Sequence, residues 1–213
     1  MGSMKVSSLA QPVLGWLRRL RLRLTRRPEP AASYGMKVGK SCTVGQPRDL
    51  SGAENIHIGD RTLIRAGAWL AAYPSYAGRT FQAELRIGSD VYIGGFATIT
   101  AIQRVTIGDG CVLSEFVYVS DHSHGFDPMR GLIAQQPLVS KGEVSIGAHS
   151  FVGYQACILP GVALGTHCVV GANSVVTRSF PDYSMVAGTP ANVVATFSLT
   201  EGRWLRVPKQ RVD

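Results

Sequence analysis

Aliphatic residues recur every six positions through most of the chain. Ile146, Val152, Ile158, Leu164, Val170 and Val176 follow one another at that step. Three shorter sets keep it: Ile58, Ile64, Leu70; Ile87, Ile93, Ile99; and Ile107, Leu113, Val119. The next residue is glycine at Gly39, Gly59, Gly88, Gly94, Gly108, Gly147, Gly153, Gly165 and Gly171. Four positions after the aliphatic stands a compact side chain, as at Thr62, Ala68, Ala97, Cys111, Ser150, Ala156, Cys168 and Ser174. A helix needs apolar residues at steps of three and four, and a half-buried strand at two. A sustained step of six predicts a coil of three short flat sides, about 18 residues per turn. The aliphatic points inward, the compact residue shares the narrow interior, and glycine permits the corner backbone. Stacked coils bury a continuous core that one coil could not bury alone.

Two places break the phase. Between Leu70 and Ile87 lie Tyr73, Pro74, Tyr76, Gly78 and Phe81, read as a loop. Between Val119 and Ile146 lies a longer gap containing Asp121-His122-Ser123-His124-Gly125-Phe126-Asp127-Pro128. Structureless loops of that length are uncommon in compact domains and are often functional. The expected organisation is a segment over 1–34, a coil domain over 35–195 with a catalytic loop at 120–143, and a short C-terminal cap or tail over 196–213.

Composition narrows the class. Of 213 residues, 45 % are hydrophobic and 17 % charged, which supports a core and excludes a mostly disordered chain. The four cysteines, Cys42, Cys111, Cys157 and Cys168, show no zinc spacing and read as reduced thiols of a cytoplasmic protein. No apolar run approaches the ~20 residues of a bilayer span. The net charge is +8, yet Arg18, Arg19, Arg21, Arg23, Arg26 and Arg27 supply six positive charges and leave +2 for the remainder. The basic character is local, so no nucleic-acid partner is expected. Met1-Gly2-Ser3-Met4 reads as a tag remnant. Val13, Leu14, Leu17, Leu20 and Leu24 share one helical face among the arginines. This short amphipathic helix either contacts an anionic membrane surface through Val13–Leu24 or packs on a subunit or the open end of the coil.

Histidine suits general-base work near neutral pH. His122 and His124 stand at the long interruption. His149 and His167 fall inside repeats, facing outward, and His57 precedes Ile58 in a strand-like run.

The repeat resembles the hexapeptide-repeat acyltransferases over roughly residues 36 to 195, and most closely the bacterial sugar and polysaccharide O-acetyltransferases. That resemblance implies an all-β fold, a left-handed parallel β-helix, and a homotrimer with sites between subunits. It implies acetyl-CoA as co-substrate and a sugar or glycan hydroxyl as acceptor. Asp121-His122-Ser123-His124 resembles the family's catalytic segment, with His122 in the base position and Asp121 or another acceptor on its second nitrogen. His124 is left as an acceptor-orienting residue or as the base itself. The matching coenzyme A groove implies Phe151, Gly153, Tyr154, Ala172, Thr177 and Arg178. No metal is expected. The chain departs from galactoside and maltose acetyltransferases in Val91-Tyr92-Ile93-Gly94-Gly95-Phe96, where glycine replaces a sugar-binding asparagine. Tyr73, Tyr76, Tyr92 and Phe96 remain candidates for stacking on a sugar ring. Rival readings are an antibiotic or xenobiotic O-acetyltransferase, a γ-carbonic-anhydrase-like hydratase using His122, His124 and His149, and a non-enzymatic scaffold.

Overall fold

The computed structural model describes residues 34–207. The expected amphipathic helix and its membrane contact through Val13–Leu24 lie outside the described residues. No helix among the described residues is long and apolar enough to cross a membrane.

Each six-residue unit forms one short strand and one corner, and three units make a turn. Strands from successive turns pair in parallel on three faces. The first face runs Lys37–Val38, Ile56–Ile58, Glu84–Ile87, Arg104–Ile107, Val144–Ile146 and Ala163–Leu164. The second runs Thr43–Val44, Leu63–Ile64, Tyr92–Ile93, Val112–Leu113, Phe151–Val152 and Val169–Val170. The third runs Asp49–Ser51, Trp69–Ala72, Thr98–Ala101, Tyr118–Ser120, Cys157–Ile158 and Val175–Val176. The result is a parallel β-helix of triangular section.

The repeating aliphatic supplies the core of each face. On the second face Val44, Ile64, Ile93, Leu113, Val152 and Val170 stand in direct register, all buried. Residues in the compact slot are buried beside them, among them Thr62, Ala97, Cys111, Cys168 and Ser174. Cys157 lies one position outside that slot and is partly exposed, whereas the other three cysteines are buried. Corners turn through the left-handed backbone region, and His149 (φ 60°) and His167 (φ 55°) adopt it without being glycine. Their rings stack outside the coil, centroids 4.9 Å apart, and His167 stacks in turn on Tyr183 at 5.2 Å.

The turn has 18 residues where every corner is tight, as from Val152 to Val170. It has 20 from Val44 to Ile64 and from Ile93 to Leu113. The added residues sit at one corner, between the third face and the first. Ile102 and Gln103 are the two extra residues after Thr98–Ala101. Both long breaks in phase leave from this same corner, one after Trp69–Ala72 and one after Tyr118–Ser120. The first carries a small hairpin, Ser75–Tyr76 with Arg79–Thr80. The second carries a hairpin pairing His122–His124 with Leu138–Ser140. At the far end Ser184–Gly188 is followed by two antiparallel strands, Ala191–Ser198 and Arg203–Arg206. The former runs across the expected boundary at 195.

Truncating one member of an aliphatic column leaves a void that flanking coils cannot fill, because their spacing is held by backbone hydrogen bonds. Leu113→Ala is expected to cost about 2–5 kcal/mol, read as a lower midpoint in urea denaturation.

Candidate active site

The long loop begins where the third face ends, so the strand Tyr118–Ser120 delivers Asp121 and His122 at the corner itself. Asp121 is fully buried and His122 is 8 % exposed. The Asp121 carboxylate is held from the preceding turn. Its Oδ1 accepts the Ile102 N–H at 2.9 Å, and its Oδ2 accepts the Gln103 N–H at 2.8 Å. Oδ1 also faces His122 Nδ1 at 2.9 Å. The two extra corner residues therefore have a local purpose: their amides orient the carboxylate.

The second neighbour of Nδ1 is Ser120 Oγ at 3.2 Å. Ser120 donates to the His122 carbonyl at 3.0 Å, and Thr100 Oγ1 donates to Ser120 at 3.2 Å. With its own hydrogen directed at a carbonyl, Ser120 presents an acceptor to Nδ1. The ionised carboxylate is acceptor-only. Both neighbours place the hydrogen on Nδ1 and leave Nε2 as the free basic nitrogen, a tautomer inferred from the hydrogen-bond network. Ser140 Oγ donates to the Asp121 carbonyl at 2.5 Å and stands opposite His122 in the hairpin.

His124 lies two residues further out, exposed, with its ring edge-on to Tyr76 at 5.4 Å. No carboxylate orients it. Of the two loop histidines, only His122 has the arrangement of a positioned base. Tyr73, from the neighbouring loop, stands edge-on to His122 at 5.6 Å. Burial pushes the Tyr73 phenol above its ordinary value, and the Asp49 carboxylate adds to the shift. Tyr73 therefore stays neutral beside the histidine. Ser120, Thr100 and the Ile102 and Gln103 amides were not singled out by the sequence pattern. The signal that points to them is the two-residue lengthening from Ile99 to Ile107, directly before the coil that ends in His122.

The residues expected at the coenzyme A groove fall into two groups. Phe151, Gly153, Tyr154 and Ala172 lie around the corner between second and third faces. Phe151 and Tyr154 are 42 % and 43 % exposed. Tyr154 meets Phe116 at 5.6 Å, and Phe116 stacks on Phe96 at 5.3 Å. A Cβ on Gly153 would lie 2.7 Å from the Ala172 nitrogen, so the coil itself demands glycine there. Thr177 and Arg178 follow Val175–Val176 at the other edge of the third face. Arg178 donates to Asn192 Oδ1 at 3.0 Å and lies over the Phe180 ring. The first group and His122 thus occupy opposite edges of the third face in one chain. Six residues of extended strand separate the level of Tyr154 from His122, about 20 Å at ~3.3 Å per residue.

His149 stacks on His167 at the corner between first and second faces, away from His122, so one chain does not bring the three imidazoles of a hydratase together. Burial pushes the Cys111, Cys157 and Cys168 thiols up, which keeps them protonated near neutrality and unsuited to nucleophilic work. A broad open trough on the first face, lined by Lys37, His57, Arg86 and Thr106, lies apart from His122.

The family model for the hexapeptide repeat of succinyl-transferase matches residues 84–120 and 143–178. Nodulation protein L of Rhizobium meliloti is 33 % identical, over 62 % of this chain and 85 % of that protein. The galactoside O-acetyltransferase of Escherichia coli is 29 % identical, over 54 % of this chain and 55 % of that protein. Among solved structures, the N-acyltransferase AntD of Bacillus cereus, in complex with dTDP and coenzyme A, superposes with a TM-score of 0.65. That match has 20 % identity and covers 79 % of this chain and 88 % of that one. The chain belongs to the hexapeptide-repeat acyltransferase family, whose fold is a left-handed parallel β-helix. It spans between 47 % and 62 % of the length of the first curated relatives it matches.

Removing the Asp121 carboxylate leaves two buried N–H groups and Nδ1 without acceptors. Each unsatisfied buried donor costs about 1–3 kcal/mol. Asp121→Ala is therefore expected to unfold at clearly lower urea than Ser123→Ala on the exposed face of the same hairpin.

Proposed function

We propose that the chain is an acetyl-CoA-dependent O-acetyltransferase acting on a sugar hydroxyl, with His122 as general base. The observation that carries this reading is the grip of Asp121 on His122 Nδ1, which leaves Nε2 to take a proton. The acceptor hydroxyl loses its proton to Nε2 as its oxygen attacks the thioester carbonyl. The tetrahedral intermediate then expels the thiolate, which takes the proton from the imidazolium. Asp121 stabilises the imidazolium between the two steps. The acetyl group passes directly to the sugar oxygen, and no side chain is acylated.

The relatives support the acceptor class. One is named a galactoside O-acetyltransferase, and AntD was solved with a nucleotide and coenzyme A. The finer reading is a polysaccharide or glycan precursor, modified in the cytoplasm.

The proposed coenzyme A groove comprises Phe151, Gly153, Tyr154, Ala172, Thr177 and Arg178. Its exposed aromatic end lies across the third face from His122. A second apolar surface stands on the long hairpin, where Phe126, Met129, Leu132 and Ile133 are 54–89 % exposed. Exposed apolar clusters of this kind mark contacts. Seating this tip against the Phe96, Phe116 and Tyr154 corner of the next copy is a head-to-tail contact that closes into a ring. A homotrimer built this way sets His122 of one copy beside the groove of its neighbour.

His122→Ala is expected to lower acetyl transfer by about 10²- to 10⁴-fold while calorimetry finds coenzyme A affinity unchanged. Equal turnover would remove the assignment. Asp121→Asn should also slow transfer, because the carboxamide can present its N–H₂ to Nδ1 and favour the wrong tautomer. Light scattering is expected to show a trimer; a stable monomer retaining full activity would rule out the shared site.

A further inference from the structure

The corner that carries His122 is low at one coil and overhung from both sides. The turn after Thr98–Ala101 has only Ile102 and Gln103, whereas the coils before and after it send out the two long loops. Those loops meet. The Tyr76 hydroxyl, on the hairpin of the first loop, donates to the Ala134 carbonyl of the second at 2.9 Å. The Tyr76 ring stands edge-on to His124, and Tyr73 from the same loop stands edge-on to His122. The residues joined are 58 apart in sequence, and the pair forms an arch over the saddle.

Both feet of the arch are stiff. Ala77 (φ 47°) and Gly78 (φ 75°) link Tyr76 to Arg79 in a two-residue turn of the kind that fits a tight hairpin. On the other side Ala134 lies in a single helical turn, Ile133–Gln135. The next residue, Gln136, is a buried pin. Its Oε1 accepts the Asp127 N–H at 2.9 Å, and its Nε2 donates to the Asp127 and Gly131 carbonyls at 2.9 and 3.2 Å. The long loop is thus tied within itself and joined to its neighbour by Tyr76. His122 keeps only 8 % exposure beside this arch, so whatever reaches Nε2 must fit alongside the two tyrosines.

We infer that Tyr76 is a positioning residue that latches the two loops into the wall of the acceptor subsite, and so selects acceptors and shields His122. This rests on the acyl-transfer reading for its acceptor; the latch itself does not. The aromatic edges and the carbonyl-rich loop suit a pyranose ring, whose C–H face packs on aromatics and whose hydroxyls bond to carbonyls.

Tyr76→Phe deletes the hydroxyl and keeps the ring on His124. Two measurements read the latch without any substrate. Carbethoxylation of His122 by diethyl pyrocarbonate, located by mass spectrometry, should quicken about five-fold, the scale of one lost neutral hydrogen bond. Tryptic cleavage after Arg130, inside the latched loop, should quicken with it. With p-nitrophenyl β-galactopyranoside as acceptor, KM for the glycoside should rise by a similar factor. KM for acetyl-CoA and kcat should hold, a split that general loss of stability would not give. Tyr76→Trp, which keeps a donor on a bulkier ring, should fall between the two. Unchanged modification and cleavage rates would overturn the latch. Faster rates with an unchanged glycoside KM would overturn its role in the acceptor subsite. Both rates changed in a protein that binds no acyl-CoA would uphold the latch and remove the acyl-transfer reading instead.

Discussion

The stacking register of the coil governs the rest of the structure. Every backbone N–H on a face must meet a carbonyl of the next turn, and every inward aliphatic must meet its counterpart one turn away. The triangular interior has no room for an extra residue on any face. Chain length can vary only where a corner opens to solvent, and in this protein that freedom is used at a single edge. Insertions of two residues and of whole hairpins leave from the corner between third and first faces. Loop length there costs little, since closure entropy grows only with the logarithm of length. The site is built where the register is free, on a scaffold rigid elsewhere.

The same constraint explains how a loop histidine becomes a fixed base. A residue on a long excursion would ordinarily be poorly placed. His122 is instead the first residue beyond Asp121, which is itself bonded into the preceding turn through the Ile102 and Gln103 amides. Ser120 lies on the last residue of a strand and closes the other side of the imidazole. Precision at the site is inherited from coil stacking, through three consecutive residues. The hairpin beyond serves as an enclosure and a contact surface.

Much of the fold was legible because its signal is repeated many times. The six-residue step, the glycine after the aliphatic and the compact fourth position each recur, so the faces, the core columns and the loop positions could be read directly. The hand of the coil could not, because inward and outward alternation is the same for either hand; family membership supplies it. For the site, the histidines stood out because they interrupt the repeat. The side of the coil from which both loops leave was also readable, since each break follows the third aliphatic of a set. The partners of Asp121 were not, because backbone amides carry no residue identity. The Tyr76–Ala134 contact was equally hidden, for it joins a side chain to a carbonyl across 58 positions. The groove residues matched by pattern proved to lie on two edges, a separation that periodicity alone does not display, because residues close in sequence can face different directions around a triangle.

Asp121 fastens one turn to the one before it and also holds the imidazole. Cohesion between neighbouring turns and reactivity at the corner therefore share a single carboxylate. In a molecule whose turns touch only their neighbours, opening could begin at either end and travel inward. The clasp places the chemistry in the middle of that line, several turns from both ends. Fraying at the termini can then proceed some way before it reaches the histidine, so activity should outlast the first losses of ordered structure.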